Sequence, residues 1–248
     1  SGPVISRALK YIYPMEARDW KQVVLYTAQL ETMLFELVGE SMNNMKPARI
    51  YTKNGIARFQ VNRRNNKEVG LTSTTSLNGS NDYAVPVIKV EGMDKNLIAV
   101  IFGYACHPTT LSINEFSGDY AGFAQIELEK SYPGTTAMFF QGAGADQNPL
   151  PRRSIPLAIQ YGKQLAASVE AVLSDKMNIQ NSTLIHKYNE IDLPLGTPLP
   201  MEQLQEISKE SDYQARWAKG MIDDYKKKGT FIKTYTYPIQ YWKINLSL

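Results

Sequence analysis

The longest apolar run in the chain covers residues 97–106 and predicts a central β-strand. A second, shorter apolar run covers residues 136–140, and a helix-like segment from Ser117 to about Lys130 lies between the two runs. Each run ends in a polar loop. Open α/β sheets bind ligands at the carboxyl ends of their strands, so the two loops predict one candidate site. Its polar residues are His107, Thr109, Asp119, Asp146 and Asn148.

Helical periodicity marks three further segments. Apolar residues from about Asp19 to Met42 recur at helical spacing and predict a long amphipathic helix packed on a sheet, which the asparagine pair Asn43-Asn44 ends. A second clear helix is predicted over Ile155–Leu173. Residues 201–228 are predicted to be helical and highly charged.

The remaining segments alternate between apolar and polar residues. Residues 48–61 predict two short strands joined by an Asn54-Gly55 turn. Residues 83–90 predict a strand at an edge or a bulge, because Pro86 lies inside it. Residues 181–195 predict another strand, and residues 231–248 a last pair. Between them, residues 62–82 form a long polar loop. We therefore expect an α/β fold, with a mixed sheet flanked by helices, as a single layered domain over residues 1–248.

Composition narrows the class of protein. The chain has 248 residues, of which 43% are hydrophobic and 21% charged, as in a soluble globular protein. Its net charge of +3 is spread out, which argues against nucleic-acid binding. No apolar segment approaches the roughly 18 residues that span a bilayer, and no signal-peptide pattern is present. The single cysteine, Cys106, is expected to be a small buried hydrophobe.

Two motifs give the chain a family resemblance. The first is His107-x-Thr109, followed by Asn114, Ser117, Asp119 and Gly122; the second is Gln141-Gly-x-Gly-x-Asp146-x-Asn148-Pro149. Together they resemble the amino-terminal catalytic domain of the neutral/alkaline ceramidases. The likeness extends over nearly the whole chain and includes Ser1-Gly2-Pro3, Tyr13-Pro14, Pro47-Ala48-Arg49 and Asn62-Arg63. Because the family has a His-Thr-His-Ser-Gly-Pro element, the chain is interpreted as a fragment, truncated at both ends.

The resemblance implies a zinc-dependent amidase that cleaves the N-acyl bond of a sphingolipid-like substrate. His107 looks like one of the two histidines that hold the zinc in that family, while the other ligands are expected to lie outside residues 1–248. Arg63 resembles the active-site arginine, which suits the charge on a tetrahedral oxyanion. Asp119 and Asp146 are expected to be supporting carboxylates. The family also implies a secreted or periplasmic location and transient contact with a membrane surface.

The chain departs from the family at two points. The family's Gly-Asp-x-Ser-Pro element aligns with residues 145–149, so Asn148 replaces the serine. An amide cannot act as a nucleophile, but it can donate a hydrogen bond to an oxyanion or a water, so a zinc-hydroxide route remains possible and a serine acyl-enzyme does not. The second departure is the incomplete set of zinc ligands, since the chain contains only two histidines.

Other interpretations stay open at this point. Gly142-Ala-Gly144 invites a dinucleotide-binding interpretation, but the third glycine of that fingerprint is absent, and a tight turn with positive φ explains these glycines better. His186 is expected to be a surface residue of a strand, and Arg63 with Arg64 could be a solvated loop pair. The chain could therefore be a ceramidase-like zinc amidase acting on a small-molecule or lipid amide, a catalytically silent member that binds a lipid or glycan, or a structural domain.

Overall fold

The structure is a computed structural model that describes residues 13, 15–72, 74–181 and 183–244. The Ser1-Gly2-Pro3 motif and Pro14 lie outside the described residues. The chain forms two compact units. One consists mainly of Lys46–Thr183 and holds the candidate site; the other consists of Leu184–Lys243 and the residues before Lys46. The single-domain interpretation is not tested by this division and stays a prediction.

The first unit is built on a five-stranded mixed sheet, so the predicted α/β class is confirmed. Its strands follow the order β5-β4-β3-β1-β7, where β1 is Ala48–Ile56, β3 Ala84–Gly92, β4 Leu97–Tyr104, β5 Thr136–Gln141 and β7 Asn178–Gln180. A separate two-stranded sheet pairs β2 (Gln60–Asn62) with β6 (Gln147–Pro149).

Strands β4 and β5 are parallel neighbours, as the prediction of polar loops at two adjacent strand ends requires. Ala99 pairs with Thr136 at one end and Tyr104 with Gln141 at the other. All other pairs in this sheet are antiparallel. Because β4 and β5 run in the same direction, their carboxyl ends meet, and the loops that follow them start side by side.

Two helices cover this sheet. Helix α2 (Asp119–Ser131) packs against α3 (Ile155–Leu173) and β5, and α3 also contacts β1 and β3. Both helices were predicted, and α3 begins where Ser154 accepts a hydrogen bond from the Leu157 N–H. Leu128 of α2 and Leu165 of α3 are fully buried with Val100 and Phe102 of β4. Burying each leucine contributes about 1.5–3 kcal/mol.

The predicted hairpin around Asn54-Gly55 is wrong. Strand β1 runs straight through both residues and pairs with β3 along its full length, from Ala48 opposite Gly92 to Ile56 opposite Ala84. A Cβ atom on Gly55 would lie 2.7 Å from Ser168 Oγ and 2.9 Å from Val172 Cγ2 of α3. Glycine therefore stands here because a helix approaches the strand closely.

The predicted edge position of Pro86 is also wrong. Strand β3 lies between β1 and β4 in the interior of the sheet. The pairing of β3 with β4 begins at Val87, so Pro86 lies just outside that ladder, and the one irregularity in register falls later, between Val90 and Glu91. A proline is tolerated where no neighbouring strand requires its missing N–H.

The second unit contains a long helix, a helix pair and a ribbon of two strands. Helix α1 is Ala17–Asn43, α4 is Met201–Ile207 and α5 is Tyr213–Lys228, and strands β8 (Leu184–Pro194) and β9 (Thr234–Ile244) pair. The Leu195 N–H donates to the Lys233 carbonyl, and the His186 ring lies 6.0 Å from that of Trp242, so the two strands are antiparallel. His186 is exposed on β8, as predicted.

Helix α1 has the predicted length. Val23 is the one buried residue of this helix, and Trp20 and Leu30 are half-buried. Its other apolar residues are exposed, including Leu34 at 52% and Leu37 at 56%. The amphipathic pattern therefore predicted the helix correctly, whereas its packing on a sheet stays a prediction.

Two further boundaries differ from the predictions. The predicted helix over residues 201–228 is divided between α4 and α5, because Asp212 caps a new helix by accepting a hydrogen bond from the Ala215 N–H at 2.9 Å. The predicted last pair of strands is one strand, β9, which pairs with β8; residues 245–248 lie outside the described residues. In the part of the chain that the structure describes, no helix is long and apolar enough to cross a membrane.

Candidate active site

The backbone at the end of β4 is held by hydrogen bonds from both neighbouring elements. The Cys106 carbonyl accepts from the Tyr120 hydroxyl of α2 at 2.5 Å and from Gln141 Nε2 of β5 at 3.0 Å. The His107 N–H donates to the Gln147 carbonyl at 3.0 Å. Because every one of these partners is itself part of the sheet or of a packed helix, His107 leaves β4 in a fixed direction.

The imidazole of His107 points at the loop that follows β5. Its Nε2 atom lies 3.2 Å from the Ala145 carbonyl oxygen. A carbonyl oxygen can only accept, so in a neutral imidazole this contact places the hydrogen on Nε2 and the lone pair on Nδ1. His107 therefore presents Nδ1 as a base or as a metal ligand.

The guanidinium of Arg63 reaches the same carbonyl oxygen. Arg63 Nε donates to the Ala145 oxygen at 3.1 Å, and the Arg63 N–H donates to the Asp146 carbonyl at 2.7 Å. Arg63 and His107 are far apart in sequence, yet both contact one atom. The structure thus brings together the two predicted site residues with the clearest chemistry.

Asp146 supports this arrangement through a residue that the sequence analysis missed. Asn62 Nδ2 donates to Asp146 Oδ2 at 2.9 Å, and Asn62 Oδ1 accepts the N–H groups of Arg64 at 3.1 Å and Asn65 at 3.2 Å. Asn62 is 3% exposed. An asparagine at a strand end that caps the following turn is a recognisable signal. Asp146 therefore positions the turn that carries Arg63.

Asn148 is buried without a protein partner for its amide. It lies on β6 opposite Val61 of β2 and is 6% exposed. Among the described residues, its side chain makes no hydrogen bond, and it lines an open groove beside Arg63. Its amide atoms are not among the fully buried unpaired side-chain atoms of the described residues, so they are open to the groove and available to a ligand.

Asp119 and Thr109 lie in the segment after β4, and their side chains make different contacts. Asp119 is 5% exposed, and its carboxylate accepts the N–H groups of Leu111 at 2.8 Å and Tyr120 at 2.7 Å. In the described part of the chain it shares no hydrogen bond with Arg63, His107 or Asp146, so it anchors the loop. The buried Thr109 hydroxyl has no hydrogen-bond partner among the described residues.

The predicted positive φ at Gly142 and Gly144 is wrong. Within the described residues, the glycines with positive φ are Gly70, Gly79, Gly134 and Gly229. A Cβ atom on Gly144 would lie 2.5 Å from both Ala105 C and Cys106 N, and one on Gly142 would lie 3.1 Å from Ala105 N. The two glycines let the loop after β5 lie directly against the end of β4.

Cys106 is buried, as predicted, and does not act as a nucleophile. Burial raises the pKa of its thiol far above the ordinary value. The thiolate is the reactive form of cysteine, so this thiol stays protonated and inert in the folded chain.

The described residues do not make up a zinc site by themselves. The hydrogen bond from His107 to a backbone carbonyl is the arrangement that metal-binding histidines use. Catalytic zinc, however, needs three protein ligands, and no group of three His, Cys, Asp or Glu side chains in the described part of the chain is placed to hold a metal.

The groove beside the site is lined by basic side chains. It has a volume of about 580 Å³, and its charged lining residues are Arg63, Arg64, Lys67, Glu68 and Arg152. Glu68 binds Arg152 Nη2 at 2.7 Å and Arg153 Nε at 3.2 Å. The hydrogen bonds from Arg152 and Arg153 lower the pKa of Glu68 to about 2.

Glu68 is expected to make the stability of the chain depend on acid pH. Its lowered pKa means that its contribution is complete above the ordinary value of 4.5 and is lost as the pH falls toward about 2. Glu68→Gln should therefore lower the free energy of unfolding at pH 7 by up to about 1 kcal/mol, and the difference should vanish near pH 2. Urea unfolding at several pH values measures this difference in the free energy of unfolding.

The control is Glu115→Gln, since Glu115 makes no ion pair in the described part of the chain. A difference between wild type and Glu68→Gln that stays constant with pH would contradict the assignment.

The sheet, its helix pair and the loops after β4 and β5 make up a ceramidase-like fold. Two solved structures carry this conclusion. The chain is similar to the neutral ceramidase from Pseudomonas aeruginosa, with 16% sequence identity and a TM-score of 0.61, over 84% of this chain and 40% of that one. It is also similar to a ceramidase complexed with C2, with 17% identity and a TM-score of 0.51, over 59% of this chain and 25% of that one.

These comparisons show the fold and no more. The chain spans between a quarter and two fifths of the length of the two solved ceramidases. A scan of family models and a search of curated protein sequences gave no match. Substrate, metal and reaction therefore rest on the chemistry of the site.

Proposed function

We propose that the chain carries part of the active site of a ceramidase-like hydrolase that cleaves an amide bond in a lipid or small-molecule substrate. The observation that carries the proposal is the convergence of Arg63 and His107 on the Ala145 carbonyl oxygen, at 3.1 and 3.2 Å. A guanidinium and an imidazole thus meet where two parallel strands end, in a fold shared with ceramidases.

The groups of the site suit the two requirements of amide hydrolysis. The attack of water on an amide carbon places negative charge on the carbonyl oxygen, and prepositioned donors stabilise that charge. Arg63 supplies a permanent cation, and the buried Asn148 supplies an amide N–H₂ that has no protein partner in the described residues. The lone pair on His107 Nδ1 is placed to accept a proton from the attacking water.

A covalent intermediate is not part of the proposal. Asn148 occupies the position at which the resemblance places a serine, and an amide nitrogen is not a nucleophile. The Cys106 thiol is buried, with a raised pKa. The nucleophile in this proposal is therefore water.

Zinc would use the same lone pair in another way: a bound zinc would lower the pKa of the attacking water, and His107 Nδ1 would then be a metal ligand in place of a base. The remaining ligands would come from residues other than those described. We also propose, on the family resemblance alone, that residues 1–248 belong to one catalytic domain and that the protein is secreted or periplasmic and contacts membrane surfaces transiently.

Replacing His107 tests both roles of this side chain. His107→Gln keeps a hydrogen bond to Ala145 possible but removes the ring lone pair, so we expect hydrolysis of an N-acyl amide to fall at least about 100-fold. The measurement is the release of fatty acid by the protein expressed from the longest reading frame that contains these residues. Its zinc content is measured by elemental analysis. Zinc near one per chain should be lost in the variant. His186→Gln, on the exposed strand β8, is the control and should retain both activity and zinc. Full activity of His107→Gln would rule out the proposed mechanism, leaving ligand binding without hydrolysis.

A further inference from the structure

The groove beside the site carries more positive charge than the rest of the chain would suggest. Four of its five charged lining residues are basic, namely Arg63, Arg64, Lys67 and Arg152, while Glu68 is the acidic one. The whole chain has a net charge of only +3. The groove therefore concentrates cationic side chains in one place.

Three of these cations have no acidic partner. Glu68 is already bound to Arg152 and Arg153. Within the described residues, Arg63, Arg64 and Lys67 form no ion pair. These side chains are exposed and line one groove, so an anion that enters the groove is attracted by all three charges.

The backbone of the groove is held in place, which distinguishes it from a loose basic loop. Asn66 Nδ2 donates to the Asn62 carbonyl and to the Asn78 carbonyl, each at 2.7 Å, and Asn66 Oδ1 accepts the Asn78 N–H at 2.9 Å. Asn62 caps the turn at Arg64 and Asn65. The segment that carries the three cations is thus fastened at both ends, and Glu68 fastens it again to Arg152.

Asn148 is an independent sign of a ligand. The residue is 94% buried and lines the groove, and its side chain makes no hydrogen bond to a described residue. A buried amide offers two donors and an acceptor. Beside unpaired cations, its N–H₂ group is suited to an anionic oxygen.

We propose that this groove binds the carboxylate of an amide substrate, so that the hydrolase acts on N-acyl amino acids. The inference rests on the proposed function for the position of the scissile amide, beside Arg63 and Asn148, and on Arg64 and Lys67 for the carboxylate. An N-acyl amino acid has its carboxylate one carbon from the amide nitrogen. One groove therefore receives both groups, with the amide beside Arg63 and the carboxylate beside Arg64 and Lys67.

Binding without turnover tests the substrate class separately from the reaction. Calorimetric titration of the chain compares N-octanoylglycine with the neutral N-octanoylethanolamine, and with inorganic phosphate. We expect the glycine conjugate to bind at least about 10-fold more tightly than the neutral amide, and its affinity to fall as salt rises from 50 to 500 mM. Phosphate should bind much more weakly, because it lacks the acyl chain.

Variants assign the interaction to the groove. The double variant Arg64→Gln/Lys67→Gln should remove the preference for N-octanoylglycine and leave the affinity for N-octanoylethanolamine unchanged. Asn148→Ser alters a group placed at the amide that both ligands share, so it should weaken the two ligands to a similar degree, with urea unfolding as a check that the chain still folds. Lys176→Gln removes an exposed cation outside the groove lining and is the matched control; it should bind both amides as the wild type does.

Other outcomes overturn either the carboxylate site or the proposed function on which the inference rests. Equal affinity for the two amides would exclude a carboxylate site while leaving the proposed hydrolase intact. Phosphate binding as tight as that of N-octanoylglycine would show a general anion site in place of an amide-substrate site. Tight binding of N-octanoylglycine without hydrolysis by the longest reading frame would support the groove and contradict the proposed function.

Discussion

Arg63→Ala is expected to lower the turnover number for amide hydrolysis about 100- to 1000-fold, the effect of removing one oxyanion donor elsewhere. Arg63 is the permanent cation that contacts the Ala145 carbonyl oxygen together with His107. An interaction that strengthens as negative charge develops acts on the transition state more than on the bound substrate. The loss should therefore appear in kcat, with a smaller change in KM, in steady-state kinetics.

The neighbouring arginine provides a matched control. Arg64 lines the same groove, but it makes no hydrogen bond to Ala145 among the described residues. Arg64→Ala should raise KM for an anionic amide and leave kcat within about threefold. Arg63→Lys keeps the charge but loses the fixed direction of the Nε–H, so we expect partial activity. Equal effects of Arg63→Ala and Arg64→Ala on kcat would assign Arg63 to general electrostatics.

Gly144→Ala is expected to destabilise the chain by about 2–3 kcal/mol or to prevent folding. The added Cβ would lie 2.5 Å from Ala105 C and Cys106 N. Both atoms belong to the backbone at the end of β4, so neither can move away as a flexible side chain would. Forcing atoms into packed structure costs typically 1–3 kcal/mol. Urea unfolding followed by circular dichroism measures the loss.

Gly122→Ala is the control for this substitution. Gly122 lies within α2, and a Cβ atom there would meet nothing within 4 Å. Alanine favours a helix by up to about 1 kcal/mol over glycine, so this variant should be as stable as the wild type or more so. If Gly144→Ala unfolds at the same urea concentration as the wild type, the loop after β5 is not packed against β4 as described.

The sequence predicts those strands and helices whose pattern of apolar residues lies within the element itself. The apolar run of β4, the run of β5 and the periodicity of α3 needed no distant partner to be recognised. The role of Gly55 was misinterpreted because a glycine is required there by the close approach of the Ser168 side chain, which only folding brings near. Strand β6 was missed because Gln147-Asn148-Pro149 carries no apolar pattern and is ordered by its pairing with β2.

The sequence predicted those parts of the candidate site that have a local pattern and missed those that depend on contacts between distant residues. The loops after β4 and β5 were identifiable because each follows an apolar run, and Arg63 was added by resemblance. The sequence does not reveal that Arg63 and His107 meet at the Ala145 carbonyl oxygen, since every residue has a backbone carbonyl and no residue type marks this one. The groove was missed as well. Three of its basic residues lie in the polar loop over residues 62–82 and the fourth, Arg152, follows β6, so only folding brings the four together.

The single thiol of the chain has a practical consequence. Cys106 is fully buried, immediately before His107, and its carbonyl is held by α2 and β5. A thiol-specific dye can reach it only when the carboxyl end of β4 separates from those neighbours. The rate of labelling under native conditions therefore reports how often this edge of the sheet opens, at one atom and without any engineered probe.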